Sequence, residues 1–171
     1  MAKTYYFGWC TWMNPEELHR YWPEAKIITK GYVDNWGVEW RSASGRTDRG
    51  WCHLDNTPRS WGNRCLGIIA EAPNGCYSQD YDYDDFVRIS LTVHGDDGKT
   101  YDCWTYTLSQ PNIPMRPPYF YWDHMVAGLN EQGFSQEYCE KIIKIYNDAA
   151  ECPRADRPNP SAIPGKGAES R

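Results

Sequence analysis

One stretch near the N-terminus decides the fold, and it runs Tyr5-Tyr6-Phe7-Gly8-Trp9-Cys10-Thr11-Trp12-Met13-Asn14-Pro15. Its aromatic first half is typical of a buried β-strand, and its polar end predicts a helix start. Asn14 is a suitable N-cap, Pro15 suits the first helical position, and Glu16 and Glu17 add negative charge that the helix dipole favours. A strand that leads into a helix N-terminus leaves backbone N–H groups pointing one way, which suits a carboxylate or an oxyanion. An ordinary strand-to-helix corner would give the same pattern.

Length and charge narrow the class of protein. The chain has 171 residues, which is the size of one domain, and a formal net charge of −5 without a cluster of Lys and Arg before its tail. This charge argues against a nucleic-acid partner. No apolar run approaches the ~20 residues that a membrane span needs, so we expect no membrane partner. The N-terminus has no apolar segment typical of a secretory signal, which predicts a cytoplasmic location.

The cysteines and histidines give no metal-binding pattern. Seven cysteines occur without a Cys-x-x-Cys pair, and an odd count cannot pair completely within one chain, so we expect reduced thiols. The four histidines are too scattered for a zinc spacing, and we expect neither a metal nor a cofactor. The nine Trp and thirteen Tyr residues exceed what one core of this size usually needs. Some of these aromatic side chains should therefore line a pocket or an interface.

Hydrophobic patterns predict a mixed α+β fold. Strands are expected at 25–29, 32–40, 51–54, 65–71, 86–93 and 100–108, with a bend or bulge at Gly31 and a hairpin turn at 95–98. Helices are expected from Asn14 to about 21, over 122–129 and over 135–149, with Ser135 as an N-cap. Residues 1–152 would form the domain. The Pro-, Gly- and charge-rich residues 153–171 would form a disordered tail.

An acidic segment interrupts the predicted strands. Residues 77–85 combine four aspartates with three tyrosines. The segment is compatible with a solvated loop, a calcium site or a catalytic acid between two strands. Calcium is disfavoured because residues 80–85 contain no glycine for the sharp turn of a calcium loop. A carboxylate hemmed in by tyrosines and other acids would have a raised pKa, in the range useful to a general base.

The order of these motifs resembles the γ-glutamylcyclotransferase-like (AIG2-like) family. Residues 6–15 resemble the opening Tyr-Phe-Ala-Tyr-Gly-Ser-Asn-Met-Asn-Pro of that family. Similar segments follow in order at 31–40, at 66–69, at Phe86-Val87-Arg88 and at 117–129, so that the resemblance extends from residue 5 to about 147. It implies a small mixed or antiparallel β-barrel with flanking helices.

The resemblance also implies a reaction and its residues. The α-amine of a γ-glutamyl group would attack its own side-chain carbonyl, releasing an amine and leaving 5-oxoproline. Asp82 falls at the position of the catalytic Glu of the family, and Asp80 and Asp85 remain alternatives because the gap before them can be placed differently. The resemblance implies that the front loop, residues 9–13, holds the glutamyl end and that another residue lines the pocket. The expected substrate-binding residues are therefore Trp9, Cys10, Thr11, Trp12, Met13 and Tyr121.

The sequence departs from the family at several of these positions. An Asp at position 82 holds its carboxylate about 1–1.5 Å further back than a Glu, a displacement that costs ~100-fold unless the backbone compensates. Trp12 replaces Asn, and Cys10 replaces the Gly that lets the backbone approach the ligand. These changes predict a substrate other than free glutathione or a simple γ-glutamyl amino acid. A γ-glutamyl amide with an aromatic or apolar leaving group fits better.

Two other functions are compatible with the sequence. In the first, the fold is retained but the protein is not an enzyme, and an aromatic pocket binds a small molecule or a partner. In the second, Cys10 is a nucleophile at the helix N-terminus. His19 lies too far along the helix to be an adjacent base for that cysteine.

Overall fold

The computed structural model describes residues 3–73 and 85–153 of the chain. Its eight strands are β1 (Lys3–Gly8), β2 (Lys26–Asp34), β3 (Gly37–Ala43), β4 (Trp51–Asp55), β5 (Arg64–Pro73), β6 (Phe86–Gly95), β7 (Thr100–Leu108) and β8 (Pro111–Pro114). Its three α-helices are α1 (Pro15–Tyr21), α2 (Tyr119–Glu131) and α3 (Gln136–Asp148). Single 3-10 turns occur at Thr11–Met13 and Pro58–Ser60.

Five of the strands close a barrel in the order β1-β5-β2-β6-β7. The barrel strands pair antiparallel, except that β1 closes the barrel against β7 in parallel. The other three strands form a separate sheet in the order β4-β3-β8. The predicted fold class, an α+β barrel with flanking helices, is confirmed.

The connection from β1 to α1 follows the sequence prediction with one addition. Asn14 is the N-cap of α1 and accepts a hydrogen bond from the Glu16 backbone N–H at 3.2 Å, while Pro15 occupies the first helical position. The helix ends at Tyr21, as expected from the proline two residues later. The added feature is the 3-10 turn, which separates the strand from the helix and forms much of the front loop, residues 9–13.

A bulge occurs in β2, but not at the predicted glycine. The register against β5 shifts between Ile27 and Thr29. Gly31 instead allows two strands to approach closely, because a Cβ atom there would lie 2.7 Å from the carbonyl oxygen of His94 on β6. The missing side chain serves the closure of the barrel and causes no bend.

Helix α2 packs directly on the front loop through residues spaced along one face. A Cβ atom at Gly128 would lie 2.8 Å from the Cβ of Met13, so only glycine allows this approach. One turn later, Gln132 donates a hydrogen bond to the Met13 carbonyl oxygen at 2.9 Å. These contacts fix the front loop against a rigid element, which prepares it to line a site.

Aromatic side chains fill two hydrophobic clusters. In the larger cluster, the Trp122 ring of α2 stacks on Tyr146 of α3 at 4.0 Å, and the edge of Trp40 packs on both. The smaller cluster joins Tyr6, Trp22 and Trp104 beneath α1. Helix α3 has the predicted Ser135 N-cap, which accepts from the Tyr138 backbone N–H at 3.2 Å.

Two further sequence predictions are a disordered tail at 153–171 and the lack of a membrane span. The predicted disordered tail lies outside the described residues from position 154 onward. Within the described ranges, no helix combines the length and the apolar character that a membrane crossing requires.

Candidate active site

A cavity of about 450 Å³ opens between the front loop, α1, the β3–β4 loop and the start of α2. Its walls combine aromatic rings, charged groups and two cysteines: Tyr6, Trp9, Cys10, Thr11, Trp12, Glu17, Tyr21, Arg46, Arg49, Trp51, Cys52, Asp85, Phe86, Tyr106, Phe120, Tyr121 and His124. The predicted surplus of aromatic residues therefore does line a pocket. The size suits a small molecule.

The front loop forms one wall of this cavity, but its members contribute differently. Trp9 is buried and its indole N–H donates to Thr105 Oγ1 at 2.9 Å, so the ring is fixed. Trp12 packs against Trp22 at 4.6 Å between ring centroids. Thr11 is half-buried at the wall. Met13 differs from the expectation, because its side chain is fully buried in the larger core cluster and does not line the cavity.

Cys10 forms a disulfide bond with Cys52 on β4. The prediction of reduced thiols is therefore wrong for this pair, although Cys65, Cys103, Cys139 and Cys152 are free. Two residues 42 positions apart could not be matched from spacing, because only the packing of the front loop on β4 brings them together. A sulfur held in a disulfide is not a nucleophile, so the hypothesis of a nucleophilic Cys10 does not apply to this form of the protein. The remote His19 bonds instead to the Ala25 carbonyl oxygen at 3.0 Å.

Tyr121, on the first turn of α2, lines the cavity. Its hydroxyl is 3.5 Å from Cys10 Sγ. Burial raises the pKa of Tyr121 to about 12, although the charge of Arg49 and the backbone N–H of Cys52 act in the opposite direction. The hydroxyl therefore keeps its proton at neutral pH and can donate a hydrogen bond.

A carboxylate and an imidazole form the negative side of the cavity. Glu17 of α1 and His124 of α2 have only 10% and 13% of their side chains exposed, and His124 Nε2 lies 3.4 Å from Glu17 Oε2. On the other edge of the ring, His124 Nδ1 lies 3.3 Å from Asn14 Nδ2. The amide oxygen of Asn14 already accepts from the Glu16 N–H, so its NH₂ group must be the donor to Nδ1. A ring that accepts at Nδ1 carries its proton on Nε2, the atom that lies 3.4 Å from Glu17 Oε2.

Arginine side chains form the opposite, positive side. The Arg49 guanidinium lies 4.4 Å above the Trp51 ring and 5.8 Å from the Tyr121 ring, both measured to the centroid. Arg46 Nε pairs with Asp85 Oδ2 at 3.0 Å at the start of β6. The charges of both Arg49 and Glu17 act on the pKa of the Tyr121 hydroxyl, Arg49 lowering it and Glu17 raising it.

The predicted catalytic acids are only partly described by the structure. Asp82 and Asp80 lie outside the described residues. Asp85, the remaining alternative, lines the cavity and has 17% of its side chain exposed. Three residues along β6, Arg88 of the Phe-Val-Arg segment donates to the Tyr106 hydroxyl at 3.1 Å, which fixes another ring of the wall.

A second cluster of metal-ligand types lies outside the cavity. The ligand atoms of Glu39, His53 and Asp55 lie within 4.8 Å of one another. However, the Arg59 Nε atom is 3.1 Å from a carboxylate oxygen of both acids. His53 Nδ1 is engaged by the Thr107 hydroxyl at 2.9 Å. A guanidinium already supplies the positive charge, so this cluster fits an ion-pair network better than a metal site.

Sequence reasoning missed Glu17 and His124 as site residues. The sequence pattern assigns Glu17 only a charge that suits the helix dipole, and it places His124 within a helix and among histidines too scattered for a zinc site. The one signal in the sequence was the motif order itself, because α1 and α2 flank the barrel in the family that the chain resembles. The pairing of the two side chains depends on how the helices pack.

Comparisons with known proteins agree with this architecture. Solved structures with the same fold include one titled gamma-glutamyl cyclotransferase, with a TM-score of 0.73 and 18% identity over 98% of this chain and 95% of that one. A human protein described as uncharacterised has a TM-score of 0.73 at 19% identity, over 99% of this chain and 95% of that one. YkqA from Bacillus subtilis has a TM-score of 0.69 at 17% identity, over 88% of this chain but 56% of its own length. No curated protein sequence matches the chain.

The fold thus defines the class, which is that of the small barrel proteins with the γ-glutamyl cyclotransferase architecture. Residues 79–142 also match the sequence model of the AIG2-like family. The chain therefore resembles the AIG2-like family in sequence over this segment and shares the γ-glutamyl cyclotransferase fold, which confirms the resemblance that the order of its motifs predicted.

Proposed function

We propose that the protein cleaves a γ-glutamyl amide by intramolecular attack of the α-amine, releasing 5-oxoproline and an amine. The observation that carries this proposal is the cavity beside the front loop, which has a negative side at Glu17, a positive side at Arg49 and aromatic walls. A γ-glutamyl group is a zwitterion at its α-carbon, so a site with both signs of charge suits it. The family match supports the same reaction.

The reaction needs the two reacting groups to meet and the protons to be moved. The nitrogen of the α-amine forms a bond with the γ-carbonyl carbon, and the bond from that carbon to the leaving nitrogen breaks. A carboxylate takes a proton from the α-ammonium group and supplies one to the leaving amine. We assign this role to Asp82, with Asp80 and Asp85 as the alternatives. The protonated Tyr121 hydroxyl is suited to donate a hydrogen bond to the carbonyl oxygen as negative charge develops on it.

The rim of the cavity indicates the class of the leaving group. Tyr21 and Phe120 line the cavity and are each 37% exposed, which is unusual for large aromatic side chains. Rings at the mouth of a pocket can cover an apolar part of a ligand. The leaving amine that we propose is therefore aromatic or apolar.

The test is the release of 5-oxoproline from a panel of γ-glutamyl amides whose leaving groups range from ammonia to aromatic amines. We expect release to be fastest with the aromatic amines. We expect Asp82→Asn to lower kcat at least ~100-fold, and Asp96→Asn, in the exposed turn after β6, to leave it unchanged. No release from any amide would refute the proposal. Full activity in Asp82→Asn, with loss in Asp80→Asn or Asp85→Asn, would move the role to that residue.

A second candidate function is ligand binding without turnover. The specific observation in its favour is the Cys10–Cys52 disulfide, since a bonded side chain occupies the front-loop position where the family has a glycine. Trp9, Trp12 and Trp51 line the cavity, so a bound ligand should quench their fluorescence. Quenching by a γ-glutamyl amide without 5-oxoproline release, and with equal affinity in Asp82→Asn, would favour this function.

A further inference from the structure

The cavity contains an anionic side chain that the proposed catalytic scheme does not use. Glu17 lies on the third helical position of α1, where the helix dipole favours its charge, and it is nearly buried. A nearly buried carboxylate that lines a cavity is costly unless it has a partner, and its two partners here are unequal. Arg20, 3.6 Å away, is a half-exposed residue of the same helix, whereas His124 belongs to another helix and is itself nearly buried.

Both neighbours of Glu17 approach the same carboxylate oxygen. The Asn14 amide lies 3.3 Å from His124 Nδ1, which orients the ring so that Nε2 lies 3.4 Å from Glu17 Oε2. The contact with Arg20 also uses Oε2, so the Oε1 atom takes part in neither contact. A nearly buried carboxylate that two neighbouring side chains hold in position is preorganised to bind a cation that enters the cavity.

The opposite side of the cavity is complementary. The Arg49 guanidinium is stacked on Trp51 and lies 5.8 Å from the Tyr121 ring. Glu17 and Arg49 line the same cavity, and a pocket lined by both signs of charge suits a ligand that carries both signs. We propose that Glu17, oriented by His124, binds the α-ammonium group of a zwitterionic amino acid ligand whose α-carboxylate is directed to Arg49. This inference rests on the proposed function for the identity of the ligand, which would be the glutamyl end of the substrate.

The experiment measures affinity, so that it does not depend on turnover. Three probes are titrated against intrinsic Trp fluorescence: L-glutamine, N-acetyl-L-glutamine, which lacks the cation, and L-glutaminamide, which lacks the α-carboxylate. We expect L-glutamine to bind Glu17→Gln about 10- to 100-fold more weakly than the wild type, the range for a hydrogen bond to a charged group. N-acetyl-L-glutamine should bind both proteins with equal affinity, which also shows that the variant keeps its site.

Matched controls separate this role from a general effect of charge. Glu16→Gln removes the same charge from the exposed residue next along α1 and should leave all three affinities unchanged. Arg49→Gln should weaken the binding of L-glutamine but not that of L-glutaminamide. Lys99→Gln, in the exposed turn after β6, should leave the affinity for both probes unchanged. His124→Gln should weaken L-glutamine less than Glu17→Gln does, because it removes only the orienting group.

Two results would overturn the inference. One is an equal loss of affinity for L-glutamine and N-acetyl-L-glutamine in Glu17→Gln, and the other is the absence of L-glutamine binding to the wild type at millimolar concentration. The proposed function is judged separately by 5-oxoproline release. A protein that binds L-glutamine through Glu17 but forms no 5-oxoproline keeps the inference and loses the function. If the wild type forms 5-oxoproline and Glu17→Gln binds L-glutamine as tightly as the wild type, the function is kept and the inference is lost.

Discussion

Two clusters in this molecule contain the same kinds of side chain but differ in what surrounds them. The first, around Asp55, joins two carboxylates and a histidine with Arg59, and the second joins Glu17 with His124 and Asn14. In the first, Ser60, Thr57 and Arg59 all donate to one oxygen of Asp55, which is only 3% exposed. In the second, the carboxylate lines a cavity. A cluster whose donors and acceptors satisfy one another is structural, and one that opens into a cavity can bind a ligand.

The disulfide links the surroundings of the two clusters. Cys10 belongs to the front loop, which lines the same cavity as Glu17, and Cys52 precedes His53 of the first cluster on β4. Replacing Cys52 with Ser should lower the free energy of unfolding by up to about 4 kcal/mol, because the bond closes a loop of 42 residues in the unfolded chain. Denaturant unfolding with and without a reducing agent measures this. Cys139→Ser, at a free and half-buried cysteine, is the control. If reduction leaves the wild type as stable as before, the disulfide does not tie the regions together.

Replacing Asp55 removes the acceptor that holds the first cluster together, so it should destabilise the fold. We expect Asp55→Ala to cost about 3 kcal/mol of unfolding free energy, because it leaves the buried Ser60 hydroxyl and the Arg59 guanidinium without their acceptor. Asp34→Ala is a matched control, since the Asp34–Arg64 pair is half exposed on both sides and should contribute under about 1 kcal/mol. Equal costs for the two substitutions would contradict a structural role for the cluster.

The pH dependence of stability sharpens the same comparison. Burial lowers the pKa of His53 below 6.5, although the charges of Glu39 and Asp55 oppose this and those of Arg41 and Arg59 reinforce it. The folded state therefore favours the neutral ring, so its contribution is complete above pH 6.5 and is lost as the pH falls below that value. We expect the unfolding free energy to decrease between pH 7 and pH 5, with a smaller slope in His53→Gln. An unchanged slope would mean that other groups cause the decrease.

Asp55 should produce a similar loss at lower pH. Burial alone would raise the pKa of Asp55, but the hydrogen bonds from Ser60 and Thr57 and the charge of Arg59 together lower it. A lowered carboxyl pKa contributes stability above the ordinary pKa near 3.8, and this is lost as the pH falls through the folded value. Acid unfolding below about pH 4 should therefore be steeper in the wild type than in Asp55→Ala.

The smallest effect on stability is expected at the second cluster. Glu17→Gln should change the unfolding free energy by less than about 1 kcal/mol, because the favourable dipole and ion-pair contributions are offset by the cost of burying the carboxylate. Thermal and denaturant unfolding beside Asp55→Ala give the comparison directly. A loss as large as that of Asp55→Ala would show that Glu17 is a structural residue like Asp55, and would remove the contrast between the clusters.

Much of the fold follows from local patterns in the chain. The N-cap at Asn14, the proline at position 15 and the Gly95–Gly98 turn each specify their own backbone conformation, and each appears where the sequence predicts it. The separate sheet was not predictable in the same way. The prolines of segment 111–114 favour extended backbone, but nothing local indicates that the segment pairs with β3 as an edge strand.

The front loop shows which structural details a sequence motif can predict and which it cannot. Trp9, Cys10, Thr11 and Trp12 line the cavity, because the strand and the helix on either side of the loop fix its course. Met13 turns inward because Gly128 lets α2 approach closely, a contact between residues 115 positions apart. Motif order thus indicated which segment forms the wall, but not which side chains face the cavity.

Caps, turns and the succession of aromatic and apolar segments could be read directly from the residues, because each depends on neighbours a few positions away, and their order was enough to indicate the family. Contacts between distant parts of the chain decide the rest. They set the negative and positive sides of the cavity, the partner of Cys10 and the difference between the two carboxylate clusters. Such contacts arise only when helices and strands pack, since burial and hydrogen bonding are properties of the folded surroundings and not of the residue type.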